Sequence, residues 1–128
     1  MSRKVIATEK APAAVGAYSQ AIAANNLVFV SGQLGMDPAT KQFAGDTVAA
    51  QTKQALENMS VILDAAGTDM AHVVKCTVLL ADISTFGEMN EVYGSFFPTE
   101  PPARAAFAVK DLPLGALVEI EAFAVLPD

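Results

Sequence analysis

The residues able to do chemistry in this chain are few and stand singly among apolar neighbours. Arg104 follows Pro101-Pro102-Ala103 and precedes Ala105-Ala106-Phe107. Its planar guanidinium suits bidentate capture of a carboxylate, although an ordinary arginine at a strand end would show the same pattern. Glu119 lies among Leu117, Val118 and Ile120. A carboxyl desolvated there has a raised pKa and can serve as acid or base; on an open face it is merely solvated. Glu121 shares its strand face, a spacing too common in strands to signal paired-carboxylate glycoside chemistry. Tyr18-Ser19-Gln20 and Ser31-Gly32-Gln33 read as polar clusters at loop edges. Gly32 would let a backbone N–H approach a ligand closely, and turn chemistry is the plainer reading. Asn90 interrupts a helical pattern beside its apolar face. His72 reads as a strand-entry residue, and Cys76 as a small buried hydrophobe.

Several chemistries are excluded by what is missing. The chain contains no G-x-G-x-x-G, P-loop, G-x-S-x-G or H-E-x-x-H motif. One His and one Cys cannot build a Cys/His zinc site, and one Cys cannot form an internal disulfide. A reducing, cytoplasmic home is therefore the default expectation. No apolar run reaches the ~18 residues of a membrane span, and no apolar stretch of signal-peptide length follows the basic start Met1-Ser2-Arg3-Lys4. Eight Lys and Arg against fourteen Asp and Glu give a net charge of −6. That acidity argues against an electrostatic nucleic-acid binder.

These groups need elements to position them. The length, 128 residues, fits one domain spanning residues 1–128. Hydrophobic residues reach 52% and charged residues only 17%, with a mean hydropathy of +0.36. A small domain has much surface for its volume, so this composition points to an obligate oligomer. Two apolar runs, Ala21 to Ala24 and Leu27 to Val30, flank Asn25-Asn26 and predict a hairpin. Ser31 to Gly35 breaks the regular pattern, and Asp37 to Lys41 reads as a turn. A long helix starts at Thr47, with Ala55, Met59, Ile62 and Ala66 on its stripe. Asp46 is the expected N-cap and Gly67 the expected C-terminal stop, with Gln51, Lys53, Glu57 and Asp64 facing solvent. His72 to Leu80 reads as a strand with Val74, Cys76, Val78 and Leu80 on one face. A second helix is expected after Ser84, with Phe86, Met89, Tyr93 and Phe97 inward and Pro98 ending it. Strands Arg104 to Val109 and Leu117 to Val125 close the chain, joined by Asp111 to Gly115. Two helices can cover only one face of such a sheet, so the other must meet water or partner subunits. Along the last strand, Val118, Ile120, Ala122 and Ala124 face one way, and Leu117, Glu119, Glu121, Phe123 and Val125 the other.

The polar clusters also fall in a recognisable order. Gly16 to Ala21, Ser31-Gly32-Gln33, Gln51 to Asn58, Val73 to Val78, Pro101 to Ala105 and Val118 to Ala122 together closely resemble the reactive-intermediate deaminase family, the RidA or YjgF type. The resemblance implies an α+β, chorismate-mutase-like fold. It has a mixed sheet with two helices on one face, in a homotrimer whose sheets form a central barrel-like core. It implies hydrolysis of 2-imino and 2-enamino acids, released by pyridoxal-phosphate enzymes, to 2-oxo acids and ammonia. No metal or organic cofactor is implied, and the ligands are small 2-imino and 2-oxo acids. Carried over, Arg104 clamps the substrate carboxylate and Glu119 handles water and protons. Tyr18, Ser31 and Asn90 line the pocket, and the Gly32 backbone contacts the ligand. Ala106 stands where many members carry Cys, so a thiol is not required there and its backbone still meets the ligand. Ala17 stands where many members have Pro. Other readings are a ribonuclease or translation inhibitor, and a non-catalytic metabolite-binding or chaperone-like trimer. On this reading, light scattering at micromolar concentration gives about 40 kDa, three times the 13.3 kDa chain; a stable monomer would remove the basis for a site between subunits.

Overall fold

In the hairpin after Tyr18, both Asn25 and Asn26 take positive φ, 53° and 62°. Asparagine tolerates this region, and the resulting primed turn matches the twist of the flanking strands. The computed structural model of the chain, which describes residues 2–128, builds a six-stranded sheet around that hairpin. Its strands are β1 (Lys4–Ile6), β2 (Ala21–Ala24), β3 (Leu27–Leu34), β6 (Val73–Leu80), β7 (Ala103–Ala108) and β8 (Val118–Val125). A small separate hairpin, β4 (Met36–Asp37) with β5 (Gln42–Phe43), precedes helix α1 (Val48–Ala66); helix α2 (Phe86–Phe96) lies between β6 and β7. The order across the large sheet is β1-β2-β3-β8-β6-β7. Only the β6–β7 pair is parallel, as the crossover through α2 requires.

Both helices pack on one face of this sheet. Leu56, Met59, Ile62 and Leu63 of α1 and Met89 of α2 meet Val28, Cys76, Val78, Leu80, Val118 and Ile120 in one fully buried core. This is the α+β, mixed-sheet arrangement that the sequence implied. The opposite face carries Phe29 and Phe123, whose rings meet edge to face at 5.2 Å between centroids. Such a pair contributes about 0.5–1.5 kcal/mol beyond its buried area. Yet both rings remain more than a third exposed, with Val5 and Phe107 also uncovered.

Several local expectations are corrected. The N-cap of α1 is Thr47, whose hydroxyl accepts from Ala50 N, rather than Asp46. Gly67 does stop the helix, in the left-handed region. Gln51 is buried rather than solvated: its amide donates to Gly45 O and accepts from Leu117 N, fastening two loops to α1. β3 runs on through Ser31 to Leu34, with a bulge between Val30 and Gln33 in place of a break. Another irregularity between Val73 and Lys75 puts Val73 inward and leaves Val74 exposed. A short 3₁₀ turn, Ile83–Thr85, precedes α2 and is capped by Asp82, whose carboxylate accepts from Ser84 N. Thr85 rather than Ser84 then stands at the start of α2, without a side-chain cap. The edge strand β1 and the β4–β5 hairpin have no counterpart in the sequence reading.

The turn after β3 is held tightly. Asn58 of α1 donates to Leu34 O and Met36 O, and a Cβ at Gly35 would meet the Gln51 backbone at 2.5 Å. Gly35→Ala must therefore push α1 from the β3 end. We expect a loss of about 1–3 kcal/mol, the usual cost of overpacking, read as a lower urea midpoint with an unchanged m-value.

Candidate active site

Two groups of candidate residues form, on opposite sides of the sheet. The first is built on α2. Phe86, Asn90 and Tyr93 are spaced by four and three residues, so one turn period sets them on a single stripe. Arg104, on the edge strand β7, pairs in register with Cys76 and so points to the helix side of the sheet. Its guanidinium lies 4.8 Å from the Tyr93 ring centroid and 5.3 Å from that of Phe86. Nη1 donates to Asn90 Oδ1 at 2.6 Å. Cation–π contacts of this kind contribute about 0.5–1 kcal/mol each when exposed, and more when dry. Among the described residues, no carboxylate lies within ion-pair distance of Arg104. Its positive charge is therefore held in place without being neutralised. Ala106, two residues on, also faces the helix side, opposite Val78. Beneath the arginine, burial pushes the Cys76 thiol and the Tyr93 phenol upward, so both stay protonated.

The second group occupies the open face. Glu119 alternates with buried Val118 and Ile120 and so points away from the helices. Burial raises its pKa, and the nearby Glu121 carboxylate adds to the rise. It stands directly against Gly32: a Cβ there would collide with the Glu119 carboxyl. The bulge of β3 brings the Gly32 backbone to the acid, and only glycine leaves room. Ser31, in the same bulge, donates its hydroxyl to Ser19 O at 2.6 Å, while its N–H donates to Gln20 O. That hydroxyl is free only as an acceptor. Gln20 fastens the preceding loop, donating to Thr8 O and Pro12 O and accepting from Thr8 N. These bonds set Tyr18, half exposed, over an open depression of about 510 Å³ with Ser31, Phe29, Phe123, Glu121 and Arg3.

The chain thus joins Arg104 with Asn90, with Ala106 on the same face, and joins Glu119 with Gly32, while Tyr18 and Ser31 line the depression on that same open face with Glu121. It does not join the two groups. Arg104 and Glu119 lie on opposite faces, with β6 between their strands. The sequence reading missed Phe86 and Tyr93 as neighbours of Arg104, having assigned them to the core. Their i, i+4, i+7 spacing with Asn90 was the available signal. Among the described residues, no His, Cys, Asp and Glu cluster could hold a metal ion, and no helix is long and apolar enough to cross a membrane.

The family model for Endoribonuclease L-PSP matches residues 8–126. The chain belongs to this family. Among its relatives is the 2-iminobutanoate/2-iminopropanoate deaminase of Rattus norvegicus. It is 56% identical over 123 residues, covering 96% of this chain and 90% of the rat protein. The fold matches the crystal structure of RidA from the Antarctic bacterium Psychrobacter sp. PAMC 21119, with a TM-score of 0.93 and 46% identity. That match covers 96% of this chain and 99% of that one. It also matches the YjgF gene product of E. coli, with a TM-score of 0.91 and 42% identity, over 95% and 98% of the two chains. The resemblance to the RidA/YjgF type is borne out.

The raised Glu119 pKa has a thermodynamic consequence. The folded state binds this proton more tightly than the unfolded chain, so the ionised carboxylate opposes folding. Its contribution is most favourable below the unfolded carboxyl pKa and is lost as pH rises through the higher folded value. Glu119→Gln, near-isosteric and neutral, should therefore melt higher than the parent at pH 7. The difference should vanish below about pH 4, where the parent is protonated too. Equal melting temperatures at both pH values would mean that Glu119 is not desolvated.

Proposed function

We propose that this protein is a hydrolytic deaminase of 2-imino and 2-enamino acids, forming 2-oxo acids and ammonia. The observation that carries this reading is the 56% identity, over nearly the whole of both chains, to a 2-iminobutanoate/2-iminopropanoate deaminase. The site geometry supports it. Arg104 offers an unneutralised, rigidly held guanidinium suited to the carboxylate shared by all these substrates. Glu119 offers a carboxyl whose pKa is raised by burial and by the Glu121 charge, which makes it a better proton carrier than a solvated glutamate.

The chemistry needs no strong nucleophile. An enamine first takes a proton at its β-carbon and becomes the iminium. Water then adds to the electrophilic C=N carbon while the Glu119 carboxylate removes a proton, giving a tetrahedral aminoalcohol. Return of that proton to nitrogen lets the C–N bond break as the C=O bond forms; the hydroxyl gives up its proton to solvent, balancing the one taken up at the β-carbon, and ammonia and the 2-oxo acid leave. Positioning and one acid–base group suffice. The Gly32 backbone, Ala106 backbone, Tyr18 and Ser31 surround the ligand in this reading. Ser31, whose proton is committed to Ser19 O, can only accept, which suits an iminium N–H.

The complete site forms between subunits. With Arg104 and Glu119 on opposite faces of one sheet, a cleft holding both draws Arg104 from one protomer and Glu119 from its neighbour. The exposed apolar side chains around Glu119, among them Phe29, Phe123 and Phe107, suit burial against that neighbour in a homotrimer with the open faces inward. We place it in the cytoplasm, where pyridoxal-phosphate enzymes supply such imines.

A ribonuclease reading has the family description in its favour. The net charge of −6 weighs against it. Salt-sensitive binding or cleavage of RNA, with no effect on imine decay, would decide for it.

The test generates 2-iminobutyrate with a dehydratase and follows its decay. Arg104→Lys keeps the charge but loses the parallel donor pair, and should lose at least roughly tenfold in kcat/KM. Glu119→Gln should lose roughly 10²–10⁴-fold in turnover. Co-assembly of equal amounts of the two variants should restore about a quarter of the parental sites, because each intact site needs one good residue from each neighbour. No restoration in mixed oligomers would place both residues in one protomer's site and overturn the shared cleft.

A further inference from the structure

Arg104 is exposed, at the edge strand, and has no ionic partner among the described residues. An arginine in that setting ordinarily samples many rotamers. Here three side chains of α2 meet it together. Tyr93 and Phe86 approach the guanidinium at 4.8 and 5.3 Å, and Asn90 accepts from Nη1 at 2.6 Å. None of the three carries charge. Aromatic faces attract a cation through their quadrupole but supply no counter-ion. A neutral amide oxygen likewise fixes an N–H without cancelling the charge behind it. An aspartate at position 90 would hold the arginine more strongly still, and would then compete with any incoming carboxylate.

We propose that Phe86, Asn90 and Tyr93 form a charge-neutral socket that positions Arg104, fixing the guanidinium plane while leaving its positive charge for the substrate carboxylate. This rests on the carboxylate-clamp reading of Arg104 given above. It changes the role of Asn90 from a pocket-lining group to a positioning residue whose effect passes through Arg104. It also accounts for Tyr93 among the core residues: its hydroxyl is buried with no partner better than the weakly bonding Cys76 thiol, so what the position uses is chiefly the ring.

The socket predicts a pattern across four variants, read as the dissociation constant of 2-oxobutyrate by calorimetry and as KM and kcat for 2-iminobutyrate. Asn90→Asp, isosteric and exposed, should weaken 2-oxobutyrate roughly tenfold or more by pairing with Arg104. KM should rise in parallel and kcat change less. Phe86→Leu and Tyr93→Leu should each weaken binding roughly threefold or more. Tyr93→Phe, which keeps the ring and drops only the hydroxyl beside Cys76, should bind at least threefold more tightly than Tyr93→Leu. A merely structural role would lower the melting temperature and the active fraction while leaving the dissociation constant alone. Binding by Asn90→Asp within twofold of the parent overturns the socket. So does equal binding by Tyr93→Phe and Tyr93→Leu where both fold, and if Tyr93→Leu does not fold, Phe86→Leu binding as tightly as the parent does the same. A parent protein that binds 2-oxobutyrate without hydrolysing 2-iminobutyrate defeats the hydrolase reading alone, and the binding ratios still decide the socket. A parent that binds no 2-oxo acid overturns both.

Discussion

Successive side chains on a strand must point to opposite faces, and in β8 that constraint reaches from the core to the chemistry. Val118, Ile120, Ala122 and Ala124 take the helix side and are fully or almost fully buried. Glu119, Glu121 and Phe123 are thereby committed to the other side. An interior strand flanked by β3 and β6 cannot rotate to escape this, because a one-residue slip would move the carboxylates into the core. The same packing that stabilises the chain thus delivers an acid to a face that the chain itself does not cover. Desolvation of Glu119 begins within the protomer, from Gly32 beneath it and the β3 bulge beside it.

Arg104 follows from the same rule with the opposite sign. On β7 it shares a face with Cys76 and so leans toward α2. An edge strand offers a way out to solvent that an interior strand does not, and this is what lets a charged residue occupy the helix side. The stripe on α2 changes character along its length to match. Met89 and Phe97 are buried in the core, while Asn90 and Phe86 stand at the rim where the guanidinium emerges. Core and site are thus consecutive stretches of one helical face.

Much of this was legible in the sequence. Period-two alternation along β8 and the helical stripes of α1 and α2 gave the layer arrangement, because burial enforces those periods. What failed was local and polar. Gln51 looked like a surface residue because its amide is hydrophilic; its neighbours Gly45 and Leu117 become partners only after the chain folds. Thr47 and Asp46 are both good caps, and the hydroxyl that reaches Ala50 N is decided by backbone geometry. The bulges in β3 and at Val74 shift the side-chain count by one, which no pattern of residue types announces. The candidate site residues came from the sequence through the resemblance, but their division between two faces did not. That division depends on strand order, and β6 lies between β7 and β8 although β7 and β8 are consecutive in sequence.

The division also explains how one small chain can hold two groups that would spoil each other if adjacent. An arginine beside Glu119 in the same protomer would lower the carboxyl pKa and occupy the guanidinium. Within the protomer the two are kept apart by the thickness of the sheet, so each retains the state its proposed role requires: Arg104 without an ionic partner, Glu119 with its pKa raised by burial and Glu121. In the proposed assembly they approach only across a cleft, with room for substrate between them. The substrate carboxylate then satisfies Arg104, and its imine carbon and a water molecule lie toward Glu119. The cationic iminium favours the carboxylate that takes a proton from water; once the neutral aminoalcohol has formed that charge is gone, and the proton passes to the departing nitrogen. A carboxyl that must first accept a proton from water and then return it works best when neither state is strongly preferred. Partial burial and the Glu121 charge raise the carboxyl's pKa and so offset its ordinary preference for the ionised state.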